Sequence, residues 1–204
     1  MQTRWPLDVA CLTLLLVSSV VLNVVQLRHA TRLSTQVSIL VRSLTFGREL
    51  PPAPGDSVPD LTAEDEHGQP IRILVKNTPL PTVLYFFSST CGWCERNLGN
   101  FRALTTAGAG SYRFIAVSLG PEDLKAYAAR SGLRCLFVRR PNRESRLAYG
   151  MATTPTTILV DTTGVVEGVW RGAYAGDTLR DIERVFRVQL PGIGGLPAGQ
   201  SANR

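Results

Sequence analysis

The stretch Val83-Leu84-Tyr85-Phe86-Phe87-Ser88-Ser89-Thr90-Cys91-Gly92-Trp93-Cys94 decides how this 204-residue chain is read. An unbroken apolar run that ends in a short polar segment is the pattern of a buried strand. The segment after it is helical, with Leu98, Phe101 and Leu104 recurring three residues apart. Cys91 therefore falls at a helix N-terminus, where first-turn N–H groups point outward unpaired and the helix dipole favours negative charge. A thiolate at Cys91 is stabilised there relative to its thiol. Cys94 lies one turn later on the same face, close enough to attack a mixed disulfide formed on Cys91. The two read as a dithiol/disulfide couple, with Cys91 the nucleophile and Cys94 the resolving thiol.

Zinc is the main competing use of a Cys-x-x-Cys pair, but a structural site takes four ligands and usually a second pair. The remaining cysteines, Cys11 and Cys135, are isolated, and His29 and His67 stand at no ligand spacing. No metal and no cofactor are expected. Cys135 reads as a buried inert thiol ahead of a third redox cysteine, and His67 as a solvated turn residue.

The formal charge of +6 comes from 20 arginines against two lysines, spread along the chain apart from Arg139, Arg140, Arg143 and Arg146. A nucleic-acid surface calls for a dense basic stripe with aromatics interleaved, so no nucleic-acid partner is expected. The charge supports solubility and general attraction to acidic surfaces.

Outside the cysteine stretch the chain divides into four parts. Residues 1–29 hold an apolar run, 9–27, close to the ~20 residues that cross hydrocarbon. No small-x-small cleavage site comes after it, so an uncleaved transmembrane anchor is expected. Arg28 and Arg32 after the run outnumber Arg4 before it, which alone places the domain in the cytoplasm. Two arguments oppose this: single N-terminal anchors commonly present the next domain outside, and a Cys-x-x-Cys disulfide is most useful in an oxidising compartment. The expectation is a single-pass membrane protein whose domain faces outside. Residues 30–54 form an amphipathic stalk, with Leu33, Val37, Leu40, Val41 and Leu44 on one face, and a linker at Pro51-Pro52-Ala53-Pro54. Residues 55–190 form one domain, and the Gly- and Pro-rich tail 191–204 lacks the apolar content to fold.

Within the domain, 58–62 and 71–74 flank a polar Gly-containing turn and read as a hairpin. Strands then alternate with helices: strand 82–87, the cysteine helix, strand 112–119, a helix 121–131 opening at Pro121, strand 134–138, helix 143–149, strands 156–161 and 165–171 joined by Thr162-Thr163-Gly164, and a closing helix 177–188. This order implies a three-layer α/β domain, and the last hairpin makes its sheet mixed.

Cys91-Gly92-Trp93-Cys94 after a strand, with Thr153-Thr154-Pro155-Thr156 entering a later one, resembles the thioredoxin-like superfamily. The hairpin turn and the extra helix-strand unit near 121–138 are similar to its redoxin/TlpA-like branch, membrane-tethered thiol-disulfide oxidoreductases of bacterial envelopes. The likeness covers about residues 55–188 and implies that the anchor lies in a bacterial inner membrane with the domain in the periplasm or at the cell exterior. It implies a cis peptide before Pro155 facing the dithiol, where the Thr154 backbone pairs with an extended substrate chain; a trans proline opening a strand is the plainer alternative. Trp93 either offers apolar contact to a protein thiol or disulfide partner, or is a packed first-turn aromatic. Two departures stand out. Thioredoxin carries an acid where this chain has Tyr85, and TlpA-like proteins often carry glutamate where it has Asn97, so the usual proton acceptor for Cys94 is missing at both places. Glu95 is a solvated first-turn acid.

Three functions fit. The leading one is dithiol/disulfide exchange with protein partners. A peroxidase of the alkyl hydroperoxide reductase type shares the fold, but Leu84 and Ser88 stand where that pattern wants proline and threonine. A tethered assembly factor, with the cysteines merely stabilising the fold, is the non-enzymatic reading. The oligomeric state is not legible.

Overall fold

The computed structural model describes residues 12, 15–19, 22, 23, 26, 51–121 and 123–193. From the Pro-rich segment onward the elements run β1 (Leu61–Glu64), β2 (Pro70–Ile73), β3 (Thr82–Phe87), α1 (Gly92–Ala107), β4 (Arg113–Ser118), α2 (Leu124–Ser131), β5 (Leu136–Arg139), α3 (Arg143–Tyr149), β6 (Thr156–Val160), β7 (Val166–Arg171) and α4 (Gly176–Phe186). The strands form one seven-stranded sheet in the order β2-β1-β5-β4-β3-β6-β7. β3, β4 and β5 run parallel, while β6, β7 and the β1–β2 hairpin pair antiparallel to their neighbours. The mixed sheet and the expected elements are therefore present.

β3 lies inside the sheet between β4 and β6, and all six of its residues are buried. Side chains alternate across a strand, so Val83, Tyr85 and Phe87 enter one core and Leu84 and Phe86 the other. The first core lies under α1, α2 and α4, with Phe101, Leu124, Tyr127, Ile182 and Phe186 closing over the sheet. The Tyr85 ring stacks on Phe101 at 4.0 Å between centroids, and Phe87 on Tyr127 at 4.7 Å. The second core holds hairpin residues Leu61, Ala63 and Ile73 with Tyr149 of α3. Each large apolar side chain buried in this way contributes roughly 1.5–3 kcal/mol.

Two boundaries differ from those the sequence suggests. The hairpin does not stand apart: Glu64 pairs with Arg139 and extends the main sheet by two strands. The helix expected to open at Pro121 begins at Leu124, because the Asp123 carboxylate, in extended backbone, accepts the Ala126 N–H at 3.1 Å and caps it. At the β6–β7 turn, Asp161 accepts the N–H groups of Thr163 and Val165, and Gly164 takes φ +89°, a conformation costly for any residue with a Cβ. The ordered chain continues past Leu190, where the Gly192 N–H donates to Asn100 Oδ1 at 2.8 Å.

The N-terminal part, Met1–Gly47, is a separate unit. Its described residues are helical and exposed. Ser18 Oγ and Asn23 Nδ2 donate to the carbonyls of Leu15 and Ser19, one turn back. Among the described residues no helix is long and apolar enough to cross a membrane. Most of the expected anchor, nearly all of the stalk and the tail beyond 193 lie outside the described residues.

Candidate active site

β3 ends at Phe87, and the chain turns through Ser88-Ser89-Thr90 into α1. Cys91 is the residue that caps this helix. Its backbone is extended (φ −87°, ψ 108°) and its sulfur accepts the Cys94 N–H at 3.3 Å. Sulfur thus takes the place usually filled by a hydroxyl or carboxylate oxygen at a helix start. Across the site, the Thr154–Pro155 peptide is cis, and the Cys91 thiol donates to the Thr154 carbonyl at 3.4 Å. The loop holding Thr154 is fixed from behind, where the Pro155 carbonyl accepts the Gly172 N–H at 2.8 Å. Tertiary structure brings Cys91, Thr154 and Pro155 together from positions more than 60 residues apart.

The two cysteines, both free thiols, sit in different environments. Burial pulls the Cys91 thiol upward, but hydrogen bonding from the Cys94 and Thr154 side chains and from the Cys94 and Trp93 backbones outweighs it. Cys91 is held below its ordinary value of 9.0. Cys94 is 1% exposed, and burial, reinforced by its interaction with Cys91, pushes it up to about 12. The surroundings favour the thiolate at Cys91 and the thiol at Cys94.

Trp93 is 45% exposed beside the cysteines, with the Arg96 guanidinium 5.2 Å from its ring centroid. It is a surface aromatic rather than a packed one. Glu95 is exposed. Cys135 packs against the first core, and burial pushes its thiol up to about 12. Leu84, one of the two positions at issue in the peroxidase pattern, points into the second core, and Ser88 Oγ bonds to Thr90 Oγ1 at 2.9 Å.

The structure also shows a polar group that sequence spacing did not reveal. Asn97 and Asn100, on the buried face of α1 with Cys94, are 0% exposed. Asn97 Oδ1 accepts the Tyr174 N–H at 2.9 Å and Asn100 Nδ2 at 3.1 Å, and Asn97 Nδ2 donates to the Tyr85 hydroxyl at 3.4 Å. The Tyr174 hydroxyl bonds with Thr157 Oγ1 at 2.7 Å. The two positions singled out for their missing acids, Tyr85 and Asn97, are bonded to each other. One signal was available: Cys94, Asn97, Phe101 and Leu104 share a helical stripe, and a buried asparagine in such a stripe needs partners.

Comparisons with known proteins agree with this architecture. The model of the AhpC/TSA family matches residues 54–169. A thioredoxin-like protein of Haemophilus influenzae is 24% identical over 137 residues, 66% of this chain and 79% of that protein. A Chlorobium tepidum structure provisionally named as the thiol:disulfide interchange protein DsbE aligns with TM-score 0.56 at 22% identity, covering 66% of this chain and 96% of its own. The thioredoxin domain of a thiol-disulfide oxidoreductase from Bacteroides vulgatus aligns at 0.53 and 20% identity, covering 66% and 98%.

Proposed function

The chain belongs to the AhpC/TSA family, and we propose that it is a thiol-disulfide oxidoreductase exchanging the Cys91/Cys94 disulfide with protein substrates. The observation that carries this reading is the Cys91 sulfur, which caps a helix N-terminus and faces Thr154 of the cis-proline loop across 3.4 Å. Ionised Cys91 attacks a substrate disulfide and forms a mixed disulfide. Cys94 then attacks Cys91 Sγ, the substrate thiol leaves, and the Cys91–Cys94 disulfide closes. Thr154, next to the nucleophile, offers backbone to an extended substrate segment, and Trp93 offers apolar contact at the rim. The names borne by the similar structures, interchange protein and oxidoreductase, point the same way.

Membrane tethering belongs to this reading. Its support is the apolar run 9–27 and the bonding of Ser18 and Asn23 to backbone carbonyls one turn back, which satisfies polar groups inside an apolar helix. The domain faces the periplasm or cell exterior, where a protein disulfide persists. A peroxidase is less well supported, because Leu84 points away from Cys91.

Two variants test the chemistry. Cys91→Ser abolishes reduction of insulin disulfides, and Cys94→Ser accumulates mixed disulfides; normal turnover by the Cys91 variant would rule the function out. Labelling Cys91 in intact cells with a membrane-impermeant maleimide tests its location, and protection until lysis would place the domain inside.

A further inference from the structure

The cluster beneath Cys94 decides where that thiol can send its proton. The Tyr174 N–H can only donate, so it fixes Asn97 Oδ1 toward the β7–α4 loop and Nδ2 toward β3. The Tyr85 oxygen then accepts from an amide, and neither atom of that amide takes up a proton at neutral pH. Among the described residues, the titratable groups facing Cys94 are few. Its own helix contributes Cys91, with Glu95 and Arg96 on the exposed side. β3 contributes Tyr85, α2 contributes Tyr127 and the β7–α4 loop contributes Tyr174, all within the same core cluster; Cys135, whose thiol burial also raises, packs against it, and the α4 acids Asp181 and Glu183 are engaged with the Trp170 indole and the Leu190 N–H. The 88–90 turn and the 151–155 loop contribute none. Burial raises Tyr85 well above a phenol's ordinary value, and the nearby Tyr174 and Cys94 add to this. Burial likewise raises Tyr174.

We infer that the Tyr85–Asn97–Tyr174 network is a neutral support and not a proton acceptor, so that Cys94 gives its proton to solvent hydroxide and the mixed disulfide on Cys91 is long-lived at neutral pH. The inference rests on the dithiol reading of the site. Hydroxide takes the Cys94 proton and becomes water. The Cys94 thiolate forms a bond to Cys91 Sγ, the bond from Cys91 Sγ to the substrate sulfur breaks, and the departing thiolate takes a proton from water. Both cysteines end oxidised and the substrate thiol reduced. A partner held this way stays covalently bound until Cys94 ionises, or until its own second thiol or an external thiol releases it first. The site is therefore suited to holding or isomerising a substrate more than to rapid reduction. Asn97 and Tyr174 are positioning residues: they bind α1 to the loop whose Gly172 backs Pro155.

The test monitors release of thionitrobenzoate from the Cys91 adduct of the reduced full chain, made with Ellman's reagent and located by peptide mapping. The rate is read from about pH 6 to about pH 9, where specific-base deprotonation raises it about tenfold per unit with no plateau. Tyr85→Phe keeps the ring packing and leaves that slope and rate within about threefold. Asn97→Asp keeps the shape, supplies a carboxylate to which Tyr85 can donate, and speeds release at neutral pH by about tenfold or more while flattening the slope. A plateau in the native protein, a Tyr85→Phe rate reduced more than about tenfold, or an unchanged Asn97→Asp profile overturns the inference. Prompt release of two thionitrobenzoate equivalents with no detectable adduct also overturns the inference, whereas no release at all on mixing is a separate result that sinks the dithiol reading itself. If Asn97→Asp does not fold, the native and Tyr85→Phe profiles decide the matter.

Discussion

The backbone N–H of Cys94 donates to the Cys91 sulfur at 3.3 Å, so one cysteine of the pair helps to stabilise the ionised form of the other. The asymmetry between them comes from position. Cys91 is the cap, outside the first turn and partly exposed, whereas Cys94 is inside it and turned into the core.

Alkylation of Cys91 should therefore be complete at a lower pH than alkylation of a free cysteine. Iodoacetamide rates measured against pH, with the labelled peptide identified by mass, will give a midpoint below 9.0 for Cys91, while Cys94 remains unlabelled in the native protein. A Cys91 midpoint at or above the ordinary value contradicts the capping argument.

Buried thiols also predict an alkaline weakness of the reduced protein. Cys94 and Cys135 are raised by burial from 9.0 to about 12. A raised folded value means that the stabilisation is fully present below the unfolded value and is lost as pH rises through the window from about 9 to about 12. For each thiol the whole window corresponds to roughly 4 kcal/mol, of which the first unit above 9 removes about 1 kcal/mol. Urea midpoints at pH 8 and pH 10 will show this loss, and Cys135→Ala will lose less than the native sequence between those two conditions. Equal losses in both would show that Cys135 does not contribute.

Gly168 is held by contact. A Cβ there would lie 2.3 Å from the Trp170 ring, whose Nε1 donates to Asp181 at 2.6 Å. Gly168→Ala displaces the indole and lengthens or breaks that bond, costing about 1–3 kcal/mol. Denaturant midpoints give the size of the loss, and near-ultraviolet circular dichroism reports the moved indole. A variant as stable as the native protein, with an unchanged spectrum, would refute the clash.

Trp93 is the opposite case. With 45% of its surface exposed and the Arg96 guanidinium over its ring, Trp93→Ala should change stability by less than about 0.5 kcal/mol. It should nevertheless raise KM for a peptide disulfide by about three- to tenfold with little effect on kcat, through lost contact area at the rim. A fall in stability with KM unchanged would make it a packing residue instead.

The strand-to-helix placement of the cysteines could be read directly from residues 83–104, because burial of a continuous apolar run and the three-residue spacing after it are local properties of the chain. The β-hairpin and the alternating order of elements were legible for the same reason. The start of α2 was not, since whether Pro121 or Asp123 sets the boundary depends on a side-chain hydrogen bond of 3.1 Å that periodicity does not encode.

Local spacing alone specifies the pair: two thiols one helical turn apart at the end of a buried strand, with side chains alternating across β3. The surroundings of that pair come from long-range packing. Thr154 reaches Cys91, and Asn97 joins Tyr85 to Tyr174, through contacts between residues 12 to 77 positions apart. Such contacts depend on sheet order and on how α1 packs, and the ionisation of a thiol depends on every dipole and phenol brought near it, so the chemistry of Cys94 became readable only once the core had closed around it.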